Sequence, residues 1–397
     1  MYSRSNKASA RRIADSTRRG NIIVMSATAL VMVFAFTAFT VDVGYITTTK
    51  AELQKSSDAA ALGANIELAD AFGPGKLVTQ AQAETNARAA AVAVAAANRG
   101  GGRSSVYASS SRDIRVGNYS WDTSTNSYVK KWGVQPYNMA EVTLHRDQGS
   151  STLGDGQLDL FFAPIMGQKH ASVHTVSTSA MQAGVGFHKT PGQNIGVLPI
   201  TLDVGTWNNL INNGVGTDNY TYNSSSKTVS NGADGIKEVN LYPEGAVTLP
   251  PGNRGTVDFG SLNNSTADIA RQIVYGLNDA DFAALAQQGI TELRWDTAPL
   301  HIQGDTGLSA GIKDELASII GKPRAIPLFT TVSGPGNNAI YTIVKFVGIR
   351  IMYVKLTGSP AQKTVVIQPA PFSDFSVIAG STPLTTDSIL TYPGLVP

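Results

Sequence analysis

Twenty consecutive residues, Ile22 to Val41 (IIVMSATALVMVFAFTAFTV), carry no charge. A helix rises about 1.5 Å per residue, so this run is long enough to cross the roughly 30 Å hydrocarbon core of a bilayer. A segment placed there must satisfy its backbone polar groups internally, which a helix does. The rest of the 397-residue chain has to be read as attached to that helix.

The flanks set the orientation. In residues 1–20, Arg4, Lys7, Arg11, Arg12, Arg18 and Arg19 oppose only Asp15, a net of +5; the whole chain is +2, so the remainder is −3. The positive-inside rule then places the N-terminus in the cytoplasm and the bulk of the chain outside. A basic arm beside a span is explained by orientation and anionic headgroups, so no nucleic-acid partner is expected. A cleaved signal peptide fits less well. Signal h-regions run about 7–15 residues and end at a small-x-small site, whereas Ala38-Phe39-Thr40 closes on Thr. The span is therefore expected to stay as an anchor.

Charged residues are only 15% of the chain, Gly is abundant at 39, and there is no cysteine. That balance suits an exported, turn-rich β protein held by its core alone, without disulfides or thiolate chemistry. The length asks for more than one folded unit. The expected organisation is a basic cytoplasmic arm (1–20), a transmembrane helix (21–45), a helical plus β domain (46–182) and a C-terminal β-rich α+β domain (183–397). The fold class is α+β throughout.

The membrane helix should continue to about Ala71, because Phe72-Gly-Pro-Gly75 is the first strong breaker. A second helix is expected over Leu77–Asn98, where Ala-rich sequence favours close antiparallel packing against the first. Gly100-Gly-Gly102 ends this region. Alternation then marks strands at Arg112–Trp121, Met139–His145 and His170–Met181, with a short helix or bend over Asp159–Met166. Beyond residue 183, strands are expected at Ile195–Leu202, Glu238–Tyr242, Arg324–Phe329, Ile340–Leu356 and Thr364–Gln368. Ile340–Leu356 is apolar on both parities and reads as a central strand covered on both faces, bulged or kinked at Gly348. Helices fit Ser265–Tyr275, Asp279–Ala286 and Ser309–Ile319, with Ser265 and Ser309 as N-caps and Gly276 and Gly321 as stops. Pro250-Pro251 and Pro369-Ala-Pro371 mark turns.

Few residues carry chemistry. His170 and His174 would lie on one face of a strand about 13 Å apart, too far to share a metal. His145, His188 and His301 have no partners at ligand spacing. Asp122-Thr-Ser-Thr-Asn126 approaches a metal-dependent adhesion pattern, fails at its last position, and reads as a hairpin turn. Gly304-Asp305-Thr-Gly307 matches an aspartic-protease motif, but Asp296-Thr-Ala lies only nine residues upstream, where a two-lobed enzyme would not place its second carboxylate. No metal, cofactor or catalytic set is expected. An exported hydrolase is the remote alternative.

Arg18-Arg19-Gly20-Asn, then Val41-Asp42-Val-Gly44-Tyr45, then Leu53-Gln54-Lys-Ser-Ser-Asp58-Ala59-Ala60-Ala-Leu62 together resemble the N-terminal signature of the TadE/TadG-like family of the tight-adherence (Flp, type IVb) pilus systems. Asn138-Met-Ala-Glu-Val-Thr-Leu and Leu160-Phe-Phe-Ala-Pro-Ile-Met-Gly resemble later segments of the same family. The resemblance spans about 18–181 and implies the motif residues Arg19, Gly20, Asp42, Gly44, Tyr45, Leu53, Gln54, Asp58, Ala59 and Ala60. It implies a non-enzymatic, single-pass accessory protein of pilus assembly or secretion in the bacterial inner membrane. Its partners would be other pilus-assembly or secretion components, met through the span and Asp42, with homo-oligomerisation open. A surface adhesin or pseudopilin-like subunit is the alternative. Met25 stands where a processed pilin would carry Glu, five residues after Gly20, which implies a permanent anchor. Asp42, at the outer edge of the span, is the residue singled out. It is either a partner contact in the membrane plane or a marker of helix depth.

Overall fold

The computed structural model describes residues 9–241, 254–260, 265–305, 308–334, 336–359 and 362–397. The expected strand end at Tyr242, the Pro250-Pro251 turn and Thr306-Gly307 lie outside these residues, as do the side chains of 9–21, Arg19 among them.

Helix α1 runs from Ser9 to Ala69 and α2 from Gln80 to Ala96. Over Ile22–Thr37 every side chain of α1 is exposed. A buried stripe then appears at Asp42, Thr49, Leu53, Ser56, Ser57, Ala60, Ala61, Ala64, Asn65 and Leu68. Those spacings of three, four and seven are one face of a helix. One continuous helix is thus lipid-like along its first part and core-like along its second. On α2 the wholly buried residues are Ala83, Ala87, Ala91 and Ala95, an unbroken i, i+4 row of the smallest side chain.

The chain forms two compact units, and both draw on α1 and α2. The first comprises Met1–Ala59, Val92–Ser109 and Thr143–Val176; the second comprises Ala60–Ala91, Ser110–Val142 and Ser177–Pro397. A five-stranded sheet has the order Ser127–Trp132, Ile114–Asp122, Met139–Arg146, Val173–Ala180, Gly394–Val396. Its last strand is the chain's own C-terminus, in antiparallel register with Thr178–Ala180. The Asp122 turn is a hairpin: Asp122 pairs with Ser127, and its carboxylate accepts from the Ser124 amide at 2.8 Å and hydroxyl at 2.6 Å.

The remainder of the second unit is built on a strand ring that closes on itself. Ile200–Asp203 pairs with Arg254–Val257, which pairs with Leu300–Asp305, then Ala339–Lys355, then Pro323–Ser333, which returns in parallel to Ile200–Asp203. Ala339–Lys355 is the long central strand the apolar run predicts, and Phe346–Met352 is buried on both parities. Its irregularity is not at Gly348. Gly348 pairs regularly with Ala325, and the register slips around Val344 and again around Met352. Glycine is needed at 348 for a different reason: a Cβ there would stand 2.2 Å from the Ala370 carbonyl oxygen. The slip at Val344 switches the alternation. Tyr341, Ile343 and then Phe346 face one core with Phe187 and Phe259, while Val347, Ile349 and Ile351 face a second with Trp207 and Ile273. A bulge that turns the pleat over lets one strand serve two cores.

The expected strand over Ile195–Leu202 is regular only from Ile200; Pro199 lacks the N–H that a ladder needs, and Ile195 and Val197 form isolated bridges instead. The Ser309–Ile319 helix begins as a 3₁₀ turn over Ala310–Ile312, and only Lys313–Ser318 is α-helical.

Val204–Asn213 is a helix capped by Asp203, whose carboxylate accepts from the Thr206 amide at 2.8 Å. Its buried Trp207 donates to Asp387 Oδ2 at 2.9 Å, and Lys345 reaches Asp387 Oδ1 at 2.6 Å. Burial alone would raise the Asp387 carboxyl; the Lys345 charge and the donors around it more than offset this and hold it below the usual carboxylate range. A depressed native pKa adds stability above the unfolded value of about 3.9, and that stability is lost as pH falls through the native value. Asp387→Asn is expected to lower stability at pH 7 by about 2 kcal/mol and to flatten its dependence on pH below about 4, read from urea unfolding between pH 2 and 7.

Candidate functional site

Of the residues the sequence marks, Asp42 is the one the first unit is built around. It sits where the bare part of α1 ends and is only 4% exposed. Its two carboxylate oxygens accept three backbone N–H groups: Phe161 at 2.8 Å, Phe162 at 3.0 Å and Ala163 at 2.7 Å. These open the 3₁₀ turn Ala163–Met166, which has no side-chain cap of its own and ends at Gly167 in the left-handed region. Successive N–H groups at the start of a helical turn favour an anion. Here the anion comes from α1, more than 100 residues earlier in the chain.

One turn further out, the Tyr45 ring meets Phe161 edge-on at 5.3 Å, and its hydroxyl donates to the Gly101 carbonyl at 2.9 Å. The Gly101 amide donates to Glu52 Oε2 at 2.9 Å. Arg146 is buried and donates from Nη1 to the carbonyls of Gly100 and Gly101, and from Nε to that of Gly156. Burial pushes its guanidinium below the ordinary value. Gly101 has φ +58°, and a Cβ there would meet Arg146 Nη1, Leu158 and Thr49 within 2.8 Å. The glycine run expected to end the helical region is therefore a tight backbone loop clasped by α1 and Arg146.

The other motif residues are distributed along the same helix. A Cβ on Gly44 would meet nothing, so space alone does not require glycine there. Leu53 is wholly buried and lies against Gly100. Gln54 donates to Asp58 at 2.8 Å. Ala59 is half-buried and Ala60 wholly buried. Arg19 and Gly20 are on α1 without described surroundings. The short helix or bend expected over Asp159–Met166 is the 3₁₀ turn Ala163–Met166, whereas no local pattern marks Arg146 or Gly101 as its neighbours.

The histidines form no ligand set. His145 and His174 meet across Asp147, with Nδ1–carboxylate distances of 2.9 and 3.2 Å, whereas His170 pairs with Asp159. Among the described residues no group of three or more His, Asp or Glu could hold a metal ion. Asp296 is committed to Arg294 through two contacts of 2.6 and 3.1 Å, unlike a carboxylate sharing a proton with another. A cleft of about 450 Å³ in the second unit is lined by Asp70, Tyr275, Arg324 and Asp374 among others, a mixture of signs that gives no uniform field for a charged ligand.

Ile22–Ala69 is the one stretch among the described residues long and apolar enough to cross a membrane. The family model for Flp pilus-assembly TadE/G-like proteins (Tad) matches residues 20–71, from the start of the span to two residues past the end of α1. No curated protein and no solved structure matches the chain.

Proposed function

We propose that this protein is a single-pass, non-enzymatic accessory component of Flp-type pilus assembly, anchored in the bacterial inner membrane with the folded chain beyond the span outside. The observation that carries this reading is the continuity of α1: one helix supplies a bare apolar span and, without a break, the buried stripe of the folded part. Loss of the span after Thr40 would leave Asp42 at a fraying helix end, where it could no longer hold the 161–163 amides in place. That dependence supports retention of the span as an anchor.

The test is fractionation of cells expressing the whole chain. The full-length protein, with its own N-terminus, is expected in the inner membrane, resistant to carbonate extraction, and to co-purify with other pilus-assembly components from mild detergent. A mature N-terminus near Val41 would overturn the anchor. One feature favours a second reading: a long helix with an unpaired apolar half is also how a pilin-like subunit joins a filament. Recovery of the chain in sheared surface material would select that reading.

A further inference from the structure

Leu160–Gly167 has the physical properties of a surface that meets lipid. Phe161, Phe162, Ile165 and Met166 are 65%, 42%, 85% and 89% exposed, four large apolar side chains within six residues. Such a cluster is costly in water and marks an interaction surface. Its backbone is unusually self-sufficient. The Phe161, Phe162 and Ala163 amides bond to Asp42, and Pro164 has no N–H. Leu160 donates to Lys169, Ile165 to Phe162, Gly167 to Pro164 and Gln168 to Ala163. A segment entering a low-dielectric interface needs this, because few waters remain there to serve its polar groups.

The height of the segment is set by Asp42. The apolar run ends at Val41, so the Asp42 carboxylate marks the outer edge of the hydrocarbon, and the amides it accepts lie within 3.0 Å of it. Ala38, one turn lower on the same face, is half-buried while the side chains from Ile22 to Thr37 are all exposed, so the cover over α1 reaches below the boundary. Gln168, Lys169 and His170 follow immediately and are exposed. They suit headgroups, and Lys169 suits anionic ones.

We infer that Leu160–Gly167 is a second membrane contact: a wedge tied to the helix by Asp42, with Phe161, Phe162, Ile165 and Met166 seated in the outer boundary of the same bilayer that the span crosses. The wedge would fix the rotation and depth of α1, which a single helix cannot fix for itself. The inference rests on the anchor reading.

The chain has no cysteine, so single-cysteine spin labels can be placed without first removing a native cysteine. The whole protein is reconstituted in phosphatidylcholine–phosphatidylglycerol vesicles and labelled separately at Phe34→Cys, Met166→Cys and Lys50→Cys. Lys50 is exposed and, eight residues past Asp42, lies about 12 Å further from the bilayer. Collision with oxygen (lipid-soluble) is compared with collision with a nickel chelate (water-soluble). Phe34 and Met166 are expected to favour oxygen and Lys50 to favour nickel. Adding Asp42→Asn to the Met166 label is expected to shift it toward nickel. Phe34 favouring oxygen with Met166 favouring nickel would overturn the wedge and leave the anchor standing. Nickel preference at Phe34 would overturn both. A Met166 label that ignores Asp42→Asn would overturn the tether.

Discussion

Asn138→Leu is expected to cost about 4 kcal/mol of stability, a large fraction of the 5–15 kcal/mol that holds a typical domain. Asn138 is wholly buried. Its side-chain oxygen accepts from the Tyr119 amide at 2.7 Å, and its nitrogen donates to the Tyr119 and Met181 carbonyls at 2.7 and 2.6 Å. Pairing between Ile114–Asp122 and Met139–Arg146 stops at Gly117 and Met139, so the amide of Asn138 takes the place of the next peptide group in the ladder. Leucine has similar volume and no polar atoms, so it leaves two carbonyls and one N–H buried without partners. Each such group costs about 1–3 kcal/mol. Asn138→Asp keeps the acceptor but sets a carboxylate against two carbonyls, which raises its pKa; that variant should therefore regain stability as pH falls toward 4, when the acid can donate once. Urea unfolding followed through Trp121 and Trp132, in the two paired strands on one side of the gap, measures both. An Asn138→Leu midpoint equivalent to less than 1 kcal/mol would mean that water or a shifted backbone replaces the lost bonds.

Asn138 also illustrates what the sequence conveyed and what it withheld. The segment Met139–His145 was legible as a strand because Ala140, Val142 and Leu144 alternate with polar residues, and the strand is observed over Met139–Arg146. Periodicity speaks to which face is buried and says nothing of which polar group a buried amide will meet. The same division runs through the molecule. α1 was expected to about Ala71 and ends at Ala69; Thr266–Tyr275 starts after its Ser265 cap as expected. Thr364–Pro369 and the long strand Ala339–Lys355 fall where their apolar runs place them. Short elements whose signal is cooperative were missed. Val204–Asn213, with four Asn and a Gly among its ten residues, has weak helix propensity and depends on its Asp203 cap and on burying Trp207. Arg254–Val257 is held by neighbours on both sides and shows little pattern of its own. The ring closure was invisible because it needs a parallel pairing between Ile200–Asp203 and Pro323–Ser333, far apart in sequence, and a bulge in Ala339–Lys355 that turns it between two cores. At the site, local pattern revealed Asp42 and could not reveal its partner, because the carboxylate and the 161–163 amides meet through tertiary structure.

Asp42 carries the largest functional effect expected of a single change. Asp42→Leu does two things at once. It removes the acceptor of three amides, and it extends the uncharged run from Ile22 through Thr49, so the helix can slide deeper to bury the extra residues. Asp42→Asn separates the two. Asparagine is polar enough to keep the boundary where it is, but it offers one oxygen and presents an N–H₂ group to amides that are themselves donors. Exchange of the Phe161, Phe162 and Ala163 amides should therefore accelerate about tenfold or more in both variants, since local opening no longer has to break charge-assisted bonds. A spin label at Lys50 should move toward the bilayer only in the leucine variant. The Asn138 and Trp207 surroundings lie in the other compact unit and should keep their parent protection in both. If assembly depends on the tethered Leu160–Gly167 segment, piliation fails equally in the two variants. If it depends on helix depth alone, Asp42→Asn assembles normally and Asp42→Leu does not. Unchanged exchange at 161–163 in the leucine variant would show that Tyr45 and the glycine loop hold the segment without the carboxylate, and would remove Asp42 from the site.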